Sequence, residues 1–217
     1  MSADEQVMAA PRTPRGRPKL EDVAAIEQRL LAVALQAFIA HGYGGASLRG
    51  IVKTAGISKT TLYSRFASKE QLFRAIMRQQ IDRVAAAMPL RSRMAALGLE
   101  QGLKVYASNM LQLSLEGDLL AINRLIYAES HRFPELGAAA AERTSVGIQQ
   151  VAAFIRDRAI SDAIPCRDPE AVAEAFIMML RGWYVDVILT NGAPPRAQRE
   201  RWVERAVHAL TSARGDW

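Results

Sequence analysis

From about Val23 onward, apolar positions recur every three or four residues, and the period holds almost to the end of the chain. Leu30, Ala34 and Phe38, with Leu31 and Leu35 beside them, form one stripe of a first helix, which Gly42 stops. Ser47 is a good N-cap for a short second helix, Leu48 to Thr54, ended at Gly56. Ser58 caps a third helix that runs through about Arg65. The run Ser68-Lys69-Glu70-Gln71 fits a capping box, and Leu72, Phe73, Ile76 and Met77 give a fourth helix its buried face. Beyond Pro89 the pattern predicts longer helices over roughly 91–115, 118–131, 135–159, 168–191 and 196–213, punctuated by Asp118, Pro134, Asp168 and the break at Gly192–Pro195. Runs alternating β-branched and polar residues are absent, so the expectation is an all-α chain of nine helices.

The segment 168–191 is apolar nearly all round. Val172, Phe176, Met179, Leu180, Trp183 and Val187 make one stripe, and Ile177, Met178, Tyr184, Ile188 and Leu189 fill much of the remaining circumference. Such a helix must be covered on two sides, by its own domain and by either a second copy of the chain or a further internal layer. The last helix carries a narrower stripe, Val203, Ala206, Val207 and Leu210, suited to a four-helix interface with that second copy. The expected assembly is a homodimer through the helices at about 168–191 and 196–213.

Charge sharpens this division. Residues 1–80 hold 12 Lys/Arg against 6 Asp/Glu, whereas the rest of the 217-residue chain holds 16 of each, so the net +6 lies wholly in the first third. That asymmetry points to a polyanion-binding N-terminal module beside a neutral partner domain. Residues 1–20 are rich in Pro, Gly and charge, without an apolar period, and read as a disordered arm. Within it, Pro14-Arg15-Gly16-Arg17-Pro18-Lys19 resembles an AT-hook core, in which Arg15 and Arg17 would run along the floor of a narrow minor groove; a merely basic tail is the other reading. No apolar run approaches the ~20 residues of a membrane span, the N-terminus lacks the apolar middle of a signal peptide, and Cys166 is the single cysteine. A cytoplasmic protein, nucleoid-associated when bound to DNA and making no use of a membrane, is expected.

The two short helices joined by Ala55-Gly56-Ile57 have the size and turn of a helix-turn-helix. Ser58, Lys59, Thr60 and Thr61 stand at the start of the second, where such helices meet base edges, while Tyr63, Arg65 and Lys69 lie on flanking faces within reach of phosphates. The block "RLLAVALQAFIAHGYGGASLRGIVKTAGISKTTLYSRFASKEQLFRAIM", residues 29–77, resembles the N-terminal domain of TetR-family (tetracycline-repressor-like) transcription regulators. The matching features are Ala34, Phe38, Gly42-Tyr43, Ser47, Ala55-Gly56-Ile57-Ser58, Leu62-Tyr63, Phe66, Ser68-Lys69 and Leu72; Arg65 departs from the His or Tyr usual there. The segment "AESHRFPELG", 128–137, is similar to a stretch in the C-terminal domain of one subgroup.

The resemblance implies a nine-helix subunit working as a homodimer, an operator of double-stranded DNA, and DNA contacts at Ser47, Lys59, Thr60, Thr61, Tyr63 and Lys69. It divides the chain into an arm (1–20), a helix-turn-helix domain (21–67) and a helical ligand-binding and dimerisation domain (68–217). It further implies an internal pocket for a small, largely apolar effector. Candidate lining residues are Met94, Leu97, Tyr106, Met110, Leu125, Tyr127, Phe154, Met178 and Trp183, whose thioethers and rings suit an adaptable apolar ligand and equally suit ordinary core packing. Glu129, His131 and Arg181 are candidates either to orient a polar group or to be surface residues. Arg167 would lower the pKa of a sensing Cys166 thiol, but with no resolving partner in the chain an inert loop cysteine is the favoured reading. The expected function is a ligand-responsive repressor; the alternative is a non-specific, A/T-preferring architectural protein. His41, His131 and His208 form no metal-binding spacing and no nucleophile or phosphate-loop motif occurs, so no catalytic residue, metal or cofactor is expected.

Overall fold

The computed structural model of the chain describes residues 20–87, 96–190 and 194–217. Among these residues nine α-helices follow one another and no strand occurs. They are α1 (Leu20–Gly45), α2 (Leu48–Ala55), α3 (Lys59–Tyr63), α4 (Lys69–Ala87), α5 (Leu99–Ser114), α6 (Gly117–Glu129), α7 (Pro134–Ser161), α8 (Pro169–Leu189) and α9 (Arg196–Thr211), followed by a 3-10 turn at Arg214–Asp216. The arm, with Arg15 and Arg17, and the pocket candidate Met94 lie outside the described residues.

The helix ends follow the cap chemistry. Ser58 Oγ accepts the Thr61 N–H at 3.0 Å, Ser68 Oγ accepts that of Gln71 at 3.1 Å, and Asp168 Oδ1 accepts that of Ala171 at 2.9 Å. Gln71 Oε1 reaches back to the Ala67 N–H at 3.0 Å, which completes a reciprocal cap. Gly56 adopts φ 64, ψ 34, the left-handed conformation that lets the chain turn sharply from α2 into α3. At Gly42, φ 71 and ψ 167 break the helical geometry, so the long part of α1 stops there as expected and a short further helical stretch runs on to Gly45.

Two cores result. The first gathers Leu30, Ala34 and Phe38 of α1, Ile51 of α2, Leu62 of α3, and Leu72, Phe73 and Ile76 of α4. It continues into Ile122 and Ile126 of α6 and Leu136 of α7. The second lies between α5, the later part of α7, α8 and α9, around Leu103, Val151, Phe176, Leu180 and Val207. Thus α6 and α7 bridge the two cores.

Several expectations need correction. Of the helix predicted over 91–115, residues 91–95 lie outside the described residues; residues 96–98 form a turn, and Gly98, at φ −62 and ψ 164, precedes the first turn of α5 at Leu99. On α8 the buried stripe is Ala173, Phe176, Ile177, Leu180, Tyr184 and Ile188, whereas Val172, Met179, Trp183 and Val187 are only partly buried. An all-round apolar helix offers several stripes, and facing elements select one. On α9, Val203, Ala206 and Val207 are buried within the chain, where α9 packs chiefly on α5, so that stripe is not left for a second copy. Finally, Val23–Gly45 is long and apolar enough to cross a membrane by length and mean hydropathy, contrary to expectation. Its Leu30, Leu31, Ala34, Leu35 and Phe38 are instead buried in the first core.

Leu62 is the single buried residue of α3, 1% exposed. Leu62→Ala should therefore lower the unfolding free energy by about 2–4 kcal/mol, as filled core positions do, which urea titration followed by circular dichroism will measure.

Candidate functional site

Five residues make α3, and one of them anchors it. With Leu62 turned inward, Lys59 and Thr60 are exposed, and the Tyr63 ring is 53% exposed although aromatic. These three side chains have no hydrogen-bond partner among the described residues. Their neighbours in the predicted set are otherwise engaged. Ser58 caps the helix, and its hydroxyl also meets that of Thr61 at 2.8 Å. The Ser47 hydroxyl accepts the Gly50 N–H at 3.4 Å at the start of α2. Arg65 Nη1 donates to Glu27 Oε2 of α1 at 2.7 Å, an ion pair that ties the end of α3 back to the first helix.

Lys69 is held most closely. Its Nζ donates to the Gly44 carbonyl at 3.1 Å and stands 5.0 Å from the centroid of the Tyr43 ring. Desolvation lowers its pKa, with the Glu129 and Glu135 carboxylates opposing that shift. Two cations absent from the predicted set, Arg49 and Lys53, are exposed on α2. The signal for them was present: they occupy the polar positions of an amphipathic helix whose Ile51, Val52 and Ala55 are buried.

Glu129, read as either a ligand-orienting or a surface acid, does something else. At the end of α6 its two carboxylate oxygens accept the consecutive backbone N–H groups of Tyr43, at 2.7 Å, and Gly44, at 3.0 Å. The positive φ of Gly42 sets up this turn, and a Cβ there would collide with Glu129 Oε1. Around the turn Tyr43 stacks on Phe38 and packs edge-on against Phe73 and Phe133. Burial, and then the Glu135 carboxylate, raise the Tyr43 pKa. The predicted segment 128–137 is thus a joint between α6–α7 and the end of α1.

The pocket candidates divide. Tyr106, whose pKa burial pushes up to about 12, and Phe154 lie in the second core, with Met110, Tyr127 and Trp183 packed against it. Trp183 stacks on Trp202 with centroids 4.9 Å apart. Leu97 sits in the turn before α5, partly buried, and its carbonyl accepts from Arg158 Nη1 at 3.4 Å. Leu125 belongs to the first core, and Met178 is exposed, so the structure does not bring these two to the others. An open groove of about 470 Å³, bordered by Leu99, Glu100, Asp162, Thr211 and Arg214, contains none of the candidates. Arg181 Nη1 donates to Thr144 Oγ1 at 2.9 Å, and His131 is exposed. Burial pushes the Cys166 thiol up, and the guanidinium that opposes the shift is that of Arg214, not of Arg167.

Comparison with known proteins sets these sites in context. The family described as bacterial regulatory proteins, tetR family, matches residues 30–76, and the AefR-like transcriptional repressor C-terminal domain matches residues 101–213. The chain is 44% identical over 72 residues to the HTH-type transcriptional repressor ComR of Escherichia coli (strain K12), covering 33% of this chain and 32% of ComR. It therefore spans about a third of that relative's length. A crystal structure of a TetR-family chain from Mesorhizobium loti MAFF303099 superposes with a TM-score of 0.73 at 26% identity, covering 88% of this chain and 97% of the other. The flavonoid-responsive regulator FrrA gives 0.71 at 26% identity over the same shares.

Removing the carboxylate that grips two backbone N–H groups should be costly. Glu129→Ala is expected to lower the unfolding free energy by about 1–3 kcal/mol, and Glu129→Gln, which keeps one acceptor oxygen, by less. Chemical denaturation of the three proteins side by side checks the order.

Proposed function

The chain belongs to the TetR family of bacterial regulatory proteins, and we propose that it is a ligand-responsive transcriptional repressor that binds a pseudo-palindromic operator in double-stranded DNA as a homodimer. The observation that carries this reading is α3: a five-residue helix anchored by one leucine and presenting Lys59, Thr60 and Tyr63 to solvent, with Arg49 and Lys53 exposed on the helix before it. Lys59 and Thr60 reach base edges in the major groove, Tyr63 reaches the backbone, and Arg49 and Lys53 meet phosphates. Ser47, Ser58 and Thr61 shape the two helices, and Arg65 and Lys69 fix their attachment. Arg15 and Arg17 extend the footprint into the adjacent minor groove.

The proposed division is an arm at 1–20, the DNA-binding domain at 21–67 and the effector and dimerisation domain at 68–217. Support for pairing comes from α8, whose outward face carries Ala171, Ala175, Met178, Gly182 and Leu189; Met178 is 42% and Leu189 69% exposed. Small residues flanked by two exposed apolar side chains suit close helix packing with a second copy, which would set the two α3 helices about one DNA turn apart, roughly 34 Å. The effector, small and largely apolar, occupies the second core near Tyr106, Phe154 and Tyr127. Tyr127 and Glu129 lie two residues apart at the end of α6, so a shift of that end reaches the turn held by Glu129. An effector that binds better to the shifted conformer lowers operator affinity by linkage.

Selection of genomic fragments by the purified protein at near-physiological salt tests the reading: an enriched short palindrome is expected, and broad A/T-rich binding without one would replace the repressor with an architectural protein. On that operator, Lys59→Ala should relax sequence preference at one position of each half-site, at a cost of about 1–3 kcal/mol. Lys53→Ala should weaken specific and random DNA alike and reduce the salt slope by about one per subunit; fluorescence anisotropy across a salt series separates the two behaviours.

A further inference from the structure

Two arginines meet inside the C-terminal half without a carboxylate to answer them among the described residues. Arg143 of α7 donates from Nη2 to Asn123 Oδ1 of α6 at 2.7 Å. Arg181 of α8 donates to Thr144 Oγ1 at 2.9 Å and, at 3.5 Å, to the Tyr127 hydroxyl. Tyr184, buried on α8, lies beside Tyr127 and both guanidinium groups. Every acceptor around the pair is neutral, and none of the ion pairs among the described residues engages Arg143 or Arg181. Elsewhere in the same half cations do meet acids: Arg199 pairs with Glu116 and Arg214 with Asp162, and Glu142 answers Arg74 of α4.

A guanidinium keeps its proton at any ordinary pH, so withdrawing it from water leaves a charge to be compensated. Desolvation and the nearby Arg181 charge both act against the Arg143 cation. Two such forks close together form a strong positive field with no fixed anion in it.

The placement continues into the apolar interior. Asn123 and Tyr127 stand one turn apart on α6, as do Arg143 and Gly147 on α7, while Ile177, Arg181 and Tyr184 follow one another along α8. At Gly147 an added Cβ would lie 2.9 Å from the Tyr106 hydroxyl and 3.7 Å from Ile177 Cδ1. Tyr106 in turn packs near Phe176, with ring centroids 6.1 Å apart. The cations therefore border a region of aromatic and aliphatic side chains.

We propose that Arg143, Arg181, Tyr127 and Tyr184 form the head-group subsite of the effector, which is a small amphiphilic carboxylate whose apolar body lies toward Tyr106 and Phe176. A planar monoanion matches the guanidinium fork, and it loses less hydration on entering apolar surroundings than a phosphate dianion does. This rests on reading the chain as an effector-responsive regulator.

The test uses the full-length protein with benzoate, phenylacetate and octanoate, each against its own neutral amide, and sodium sulfate at matched ionic strength. Thermal melting and calorimetric titration should show at least one carboxylate bound 10-fold or more tightly than its amide. Arg181→Gln and Tyr127→Phe should each reduce that preference several-fold while the ligand-free protein keeps its helical circular dichroism. Equal binding of acids and amides, stabilisation by sulfate alone, no binding of any carboxylate at millimolar concentration, or an undiminished preference in Arg181→Gln would overturn the assignment. Operator binding is followed in the same samples. Specific DNA binding without carboxylate preference sinks the subsite alone, and carboxylate binding without specific DNA binding sinks the regulator reading alone.

Discussion

The grip of one carboxylate on two consecutive backbone N–H groups organises the molecule. Glu129 lies more than eighty residues from Tyr43 and Gly44, yet its oxygens satisfy amides that the break at Gly42 has removed from the helical ladder. A charged acceptor on paired donors is among the stronger hydrogen-bonding arrangements available. Its position matters as much as its strength. The turn it holds leads directly to Ser47 and α2, so the orientation of the first three helices is set from α6.

Hydroxyls and cations that look alike in the sequence have separate duties in the structure. Ser47, Ser58 and Thr61 satisfy helix N–H groups or each other, Arg65 answers Glu27, and Lys69 closes over Tyr43. Lys59, Thr60 and Tyr63 remain unengaged among the described residues. A short helix can hold free polar groups in place because its neighbours immobilise its ends.

How much of this was legible beforehand depended on the range of the cause. Caps and turns act over three or four residues, and Ser58, Gly56, Ser68 and Asp168 behave as their types predict. The inward turn of Leu62 and Phe66 likewise follows from local period. What depends on a distant partner was not legible. The burial of Val203 and Val207 needed α5, and the choice of stripe on α8 needed the helices facing it. Glu129 read as a ligand-orienting or a surface acid because no local signal names its partners. Arg143 gave no hint at all, since a lone arginine in a mixed helix reads as surface.

The engagement of Ser47, Ser58 and Thr61 at the helix starts has a consequence for information. The two free side chains on α3 that would meet base edges, Lys59 and Thr60, can distinguish about three base pairs, a word that chance alone repeats roughly every sixty base pairs. A chromosome would hold tens of thousands of such words, and no gain in affinity would tell them apart. Two copies at fixed spacing square the odds. In the proposed dimer, then, the rigidity that fixes the distance between subunits contributes as much to choosing the address as the residues that touch it.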